Sequence, residues 1–129
     1  MKRILIDTDT YAAFKKNDLL AVNTLRTVEY IGVCTVVLGE LLGGFKGGSM
    51  ETKNRKELDQ FLDSPRTHVI EIDEETAEFY AKIYWEMKKK GKPIPSNDMW
   101  VAASAMRHGL SLFTYDEHFK NIEGIILYC

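Results

Sequence analysis

Two cysteines, three prolines and a net charge of only −2 leave this 129-residue chain without several of the devices on which small proteins rely. Cys34 lies inside an apolar run and Cys129 is the last residue of the sequence, so no disulfide framework is expected. None is needed, because a chain of this length buries a proper core and reads most simply as one domain over residues 1–129. No apolar run approaches the roughly 20 residues that span a bilayer. The opening Met1-Lys2-Arg3-Ile4-Leu5-Ile6 is cut by Asp7 well short of a signal-peptide core. The expectation is a cytoplasmic protein with no membrane contact. The small net charge also excludes a global basic field for nucleic acid. Basic residues are local instead: Lys53, Arg55 and Lys56, then Lys88, Lys89, Lys90 and Lys92, the second group placed to complement a helix dipole. A P-loop lysine motif, a Gly-x-Ser-x-Gly nucleophile elbow and zinc-type His/Cys spacing are all missing.

What the chain does contain is an alternation of short apolar strands with amphipathic helices. Strands are expected over residues 4–7, 30–34, 68–72, 111–114 and 124–128. Between them come helices over 11–15, 18–27, 35–42, 52–62, from Asp73 to about Lys90, and 96–108, with a short helical turn over 116–119. Thr35 suits an N-cap, Gly43-Gly44 suits a helix end, and residues 43–49 read as a glycine-rich loop. On the helix after Asp73, Ala77, Tyr80, Ala81, Tyr84 and Met87 form the expected apolar stripe. Strands alternating with helices, without repeat or linker, predict a three-layer α/β/α sandwich around a mainly parallel sheet of about five strands.

Against this pattern four acids stand out. Asp7 follows Ile4-Leu5-Ile6, Glu40 interrupts the apolar run 36–42, Asp98 precedes the run 99–106, and Asp116 follows 112–115. A carboxylate at the edge of a core must be paired, hydrogen-bonded, protonated or bound to a cation. Asp98 and Asp116, taken singly, read as a helix-start dipole partner and a turn residue; Asp7 and Glu40 are harder to explain that way. In parallel sheets, sites form beyond the carboxyl ends of strands at a switch in strand order, where these four can meet. If they do, a hard divalent ion such as Mg²⁺, or Mn²⁺, is the natural relief of their repulsion. One or two such ions beside a phosphodiester would stabilise transition-state charge and activate a water. Asp9 either joins this cluster or simply starts a helix.

The segments Ile6-Asp7-Thr8-Asp9, residues 35–43 with Glu40, Asn97-Asp98-Met99-Trp100-Val101-Ala102-Ala103 and Thr114-Tyr115-Asp116-Glu117-His118-Phe119 resemble the four acidic motifs of PIN-domain nucleases. In size and motif order the chain is similar to the VapC toxins of type II toxin–antitoxin pairs. The resemblance implies a Mg²⁺- or Mn²⁺-dependent endoribonuclease that leaves 5′-phosphate and 3′-hydroxyl ends, forms a homodimer and binds a cognate antitoxin. By motif position, Asp7, Glu40, Asp98 and Asp116 are the implied metal and catalytic acids, and Thr114 the hydroxyl residue beside them. Asn97 matches a frequent polar residue of the family but also serves a helix start, and stands outside the catalytic set. Asp9 replaces the Asn or Ser of many relatives.

Two other readings compete. Asp7-Thr8-Asp9-Thr10-Tyr11 after an aliphatic strand also resembles the start of haloacid-dehalogenase-like phosphatases, with Asp7 as nucleophile. A non-catalytic PIN-like module that only binds RNA or a partner is the third. Among rival side chains, His68, His108 and His118 are assigned to surface or packing roles, although His118 lies two residues beyond Asp116. Trp100, Phe113, Tyr115 and Phe119 are assigned to the core rather than to base stacking.

Overall fold

The computed structural model describes residues 2–128, so Cys129 lies outside the described residues; Cys34 is buried and free. Ile4, Leu5 and Ile6 have no exposed surface and form the centre of β1 (Arg3–Ile6). Such a run, apolar on both sides, suits a strand covered on both faces. β1 pairs in parallel with β2 (Tyr30–Cys34) on one side and with β4 (Ser111–Phe113) on the other, and β3 (Thr67–Ile70) lies outside β2. The order is therefore β3-β2-β1-β4.

Among the described residues six α-helices flank the sheet: α1 (Thr8–Lys15), α2 (Leu19–Thr27), α3 (Thr35–Lys46), α4 (Glu51–Leu62), α5 (Glu74–Lys90) and α6 (Ser96–His108). α1, α2, α3 and α4 pack with one another and α5 packs on α6; with the right-handed crossovers that parallel strands adopt, the reversal of strand order after β3 sends these two groups to opposite faces, the three-layer sandwich. The chain moves outward from β1 through β2 to β3, then returns to the opposite side of β1 as β4. That reversal makes the carboxyl ends of β1 and β4 the switch point.

Some expected boundaries move. The fifth strand over 124–128 is reduced to a parallel bridge between Leu112 and Leu127. The Leu112 N–H donates to Ile126 O at 2.7 Å and the Tyr128 N–H to Leu112 O at 2.9 Å. With β4 only three residues long, there is little ladder for a further strand to join. α1 begins at Thr8 rather than 11, because the Asp7 carboxylate caps it. α3 runs through Gly43 and Gly44 to Lys46, and Cys34 rather than Thr35 holds its N-cap position. Phe45 packs against the core at the end of that helix, and this burial outweighs a propensity cost of about 1 kcal/mol per glycine.

On α5 Thr76, Ile83 and Met87 are buried and Phe79 and Tyr80 half-buried beside them; Ala77, Ala81 and Tyr84 face outward, so the expected stripe is rotated by about one residue. The spacing 76, 79/80, 83, 87 is as helical as the expected one, and the larger Ile83 takes the core. The cap is where it was expected: Asp73 accepts from the Thr76 N–H at 2.9 Å.

Gly32, in the middle of β2, shows how tightly the sheet is covered. A Cβ there would lie 2.6 Å from Ile70 Cδ1 and 3.1 Å from both Leu110 Cδ1 and Leu5 Cδ1. Gly32→Val is expected to cost about 2–3 kcal/mol by overpacking. Urea unfolding should show a lower midpoint at an unchanged slope.

Candidate active site

The switch point is where the acids gather. Asp7 stands at the end of β1 and at the start of α1, with only 6% of its surface exposed. Its Oδ1 accepts from the Thr10 N–H at 3.0 Å and lies 2.7 Å from the Thr10 hydroxyl. That hydroxyl is also 2.9 Å from Phe113 O, so its one proton is shared between β1's end and β4. Asp7 Oδ2 accepts from the Thr114 hydroxyl at 2.5 Å, and Thr114 Oγ1 in turn accepts from the Asp116 N–H at 3.0 Å. A relay of hydrogen bonds thus locks the ends of the two strands together. These bonds favour the carboxylate, yet burial dominates and pushes the Asp7 pKa up, with the Asp9 charge adding to the effect.

Asp98 lies in the first turn of α6, and burial pushes its carboxyl up as well; His118 opposes that, while Asp116 and Glu40 reinforce it. Asp116 follows β4 and precedes a 3₁₀ turn (Glu117–Asn121) without capping it by its side chain, and instead lines the cleft. Glu40, on α3, is held from two sides: Oε1 accepts from the Thr8 hydroxyl at 2.5 Å and Oε2 from Asn97 Nδ2 at 3.2 Å. Asn97 is thus more than a helix-start residue, because it fixes the Glu40 carboxylate.

Asp7, Glu40, Asp98 and Asp116 line one cleft of about 430 Å³, together with Thr8, Asp9 and Asn97. The cleft wall carries four Asp and one Glu and no Lys or Arg. Asp9 is exposed within it. Thr114 touches the cleft through Asp7 rather than lining it.

The side chain that sequence reasoning left out is His118. Its Nε2 is 2.9 Å from Asp98 Oδ2 and its Nδ1 is 3.4 Å from Asp116 Oδ1. The only sequence signal for it was its place two residues after Asp116. His68 stacks on Tyr30 with ring centres 4.2 Å apart, and His108 ends α6; neither lines the cleft. Of the aromatics, Phe113 and Phe119 are core, Trp100 is half-buried and stacked on Tyr80 at 4.0 Å, and Tyr115 is exposed. Tyr115 escapes the core because its hydroxyl donates to Asp18, the cap of α2, at the surface.

The donor set suits a hard divalent ion. Carboxylate oxygens dominate it, no Lys or Arg in the cleft wall neutralises them, and ligand atoms of Asp98, Asp116 and His118 all lie within 4.8 Å of one another. Fold and site together define a parallel α/β domain with an acidic cleft at its topological switch point. Residues 4–125 match the model of the PIN domain. The chain is 31% identical over 95 residues to the Mycobacterium tuberculosis "Ribonuclease VapC4", covering 73% of this chain and 72% of that one. It is 29% identical over 120 residues to "Ribonuclease VapC2" of Rickettsia felis, covering 92% and 83%. Among solved structures, "VapBC2 from Rickettsia felis bound to a DNA fragment from their promoter" superposes with a TM-score of 0.88 at 26% identity, over 97% of this chain and 96% of the other. The chain therefore belongs to the PIN-domain family, as a VapC-type toxin. Membership sets aside the phosphatase reading of Asp7.

Proposed function

We propose that this protein is a metal-dependent endoribonuclease, the toxin of a toxin–antitoxin pair, whose site is built from Asp7, Glu40, Asp98 and Asp116. The observation that carries the reading is the convergence of these four side chains on one cleft with no basic residue in its wall. The names of the relatives, both ribonucleases, supply the substrate class. A bound Mg²⁺ or Mn²⁺ would supply charge neutralisation and Lewis acidity at the scissile phosphodiester.

The chain's own residues then divide the work. Asp98, from α6, and Asp116, from the segment after β4, bring carboxylate oxygens within 4.8 Å of each other in the cleft. Asp7 is the rigid member, because Thr10 and Thr114 fix both of its oxygens before any ligand arrives. Such preorganisation avoids reorganisation cost during the reaction. Thr114 acts as a positioning residue through Asp7, and Glu40, clamped by Thr8 and Asn97, faces the same space to orient water or a second ion. Asp9 adds negative charge on the exposed rim. A cognate antitoxin and a second copy of the chain complete the proposed partners.

The test incubates antitoxin-free protein with total cellular RNA in Mg²⁺, in Mn²⁺ and in EDTA, followed by sequencing of the ends. Cleavage with either ion, leaving 5′-phosphates and 3′-hydroxyls, and none in EDTA, is the expected result. Cleavage that survives EDTA contradicts the mechanism, and metal-independent RNA binding without cleavage would make the protein a binding module.

A further inference from the structure

We propose that His118 completes the metal centre as a nitrogen ligand and biases it toward Mn²⁺ and other imidazole-binding divalent ions over Mg²⁺, an inference that rests on the metal-nuclease reading above. His118 sits on the 3₁₀ turn after β4, and its neighbour Phe119 is completely buried, so the turn is nailed to the core beside the cleft. The imidazole packs on the Phe119 ring at 4.8 Å between centres. Its Nε2 is a buried atom that faces no neutral hydrogen-bond acceptor, only the Asp98 carboxylate, with Oδ2 2.9 Å away.

Two atoms in that relation match neighbouring ligands of one six-coordinate ion. Bonds of about 2.1 Å at right angles place adjacent donor atoms about 3.0 Å apart. On the other side of the ring, Nδ1 faces Asp116 Oδ1 at 3.4 Å. A carboxylate behind the distal nitrogen is the arrangement that orients a ligating imidazole and raises its basicity. An all-oxygen site suits Mg²⁺, whereas an imidazole in the set favours Mn²⁺ and the later first-row ions.

The experiment loads the full chain with Mn²⁺ and records pulsed EPR, which reads ¹⁴N coupling from a directly bound imidazole. The native protein is expected to show that coupling and His118→Gln to lack it, with His68 and His108 still present as internal controls. By calorimetry, His118→Gln is expected to lose Mn²⁺ affinity about tenfold or more, while Mg²⁺ affinity changes by less than about threefold. His118→Ala repeats the measurement without an amide, and circular dichroism verifies that both variants are folded. Bound Mn²⁺ without ¹⁴N coupling, coupling that survives in His118→Gln, or equal loss of both ions overturns the role of His118 and leaves the acidic site standing. Failure of the native protein to bind either ion overturns both.

Discussion

Asp7→Asn is expected to abolish RNA cleavage while leaving the metal-free protein at least as stable as the native chain at neutral pH; Asp7→Ala should lose both activity and stability. The difference follows from the two tasks of this side chain. As the cap of α1 it accepts from the Thr10 N–H, and as the junction of β1 and β4 it accepts from the Thr114 hydroxyl. An asparagine oxygen keeps the cap, and its amide can donate to Thr114, so the fold survives. An alanine leaves the Thr10 N–H and the Thr114 hydroxyl without their acceptor, while the Thr10 hydroxyl keeps Phe113 O, at a cost of about 1–2 kcal/mol from the cap alone. Both variants lack the negative charge that the cleft requires. Losing several kcal/mol of transition-state stabilisation, at about 1.4 kcal/mol per decade, reduces cleavage about 10³-fold or more. Gel assays of cleavage beside thermal melts separate the two effects. An Asp7→Asn protein that still cuts RNA would remove Asp7 from the chemistry.

The second large effect is on stability, and its sign is set by Asp98. Burial raises the folded-state pKa of Asp98 above its ordinary value of 3.8. The protonated form is therefore the one the fold prefers. That contribution is fully present below the ordinary value and is lost as pH rises through the raised one. Asp7 is raised in the same direction, chiefly by burial, and adds to the trend. The contribution of these two groups is expected to fall as pH climbs out of the acid range. Asp18 and Asp73 follow the opposite trend, because hydrogen bonds, chiefly from the Tyr115 hydroxyl and the Thr76 N–H, hold their carboxyls below the ordinary value. Asp98→Asn, which carries no charge, should melt a few degrees higher than the native chain at neutral pH. Metal reverses the ranking. Mn²⁺ at about 100 times its dissociation constant should add about 2.7 kcal/mol to the native protein, and much less to Asp98→Asn. Melting curves at several pH values, with EDTA or Mn²⁺, give both results. An Asp98→Asn protein that melts no higher than the native chain without metal, or a native protein indifferent to Mn²⁺, would contradict these electrostatics.

Much of this architecture was legible in the sequence because its signals are local. Ile4-Leu5-Ile6 can only be a covered strand, Asp73 announces a cap, and Gly91 and Gly109 close α5 and α6 in the left-handed conformation that glycine tolerates. What was misread depends on tertiary packing. Gly43 and Gly44 look like a helix end until Phe45 finds the core, and the buried face of α5 is decided by which of two equally periodic stripes meets the sheet. The site followed the same division. Asp7, Glu40, Asp98 and Asp116 each broke an apolar run and so could be named one by one, and the strand order then explains why they share a cleft. Asn97 and His118 broke nothing. They are polar residues in polar surroundings, and their importance lies in contacts with Glu40, Asp98 and Asp116 that span up to 57 residues of chain.

The convergence of the acids on a divalent ion is tested most directly by anomalous diffraction from crystals of the protein soaked with Mn²⁺. A Mn²⁺ peak is expected in the cleft at the carboxyl ends of β1 and β4, with carboxylate oxygens from at least two of Asp7, Asp98 and Asp116 at about 2.2 Å. A cleft without a peak at saturating Mn²⁺, or a peak held by other residues, would contradict it.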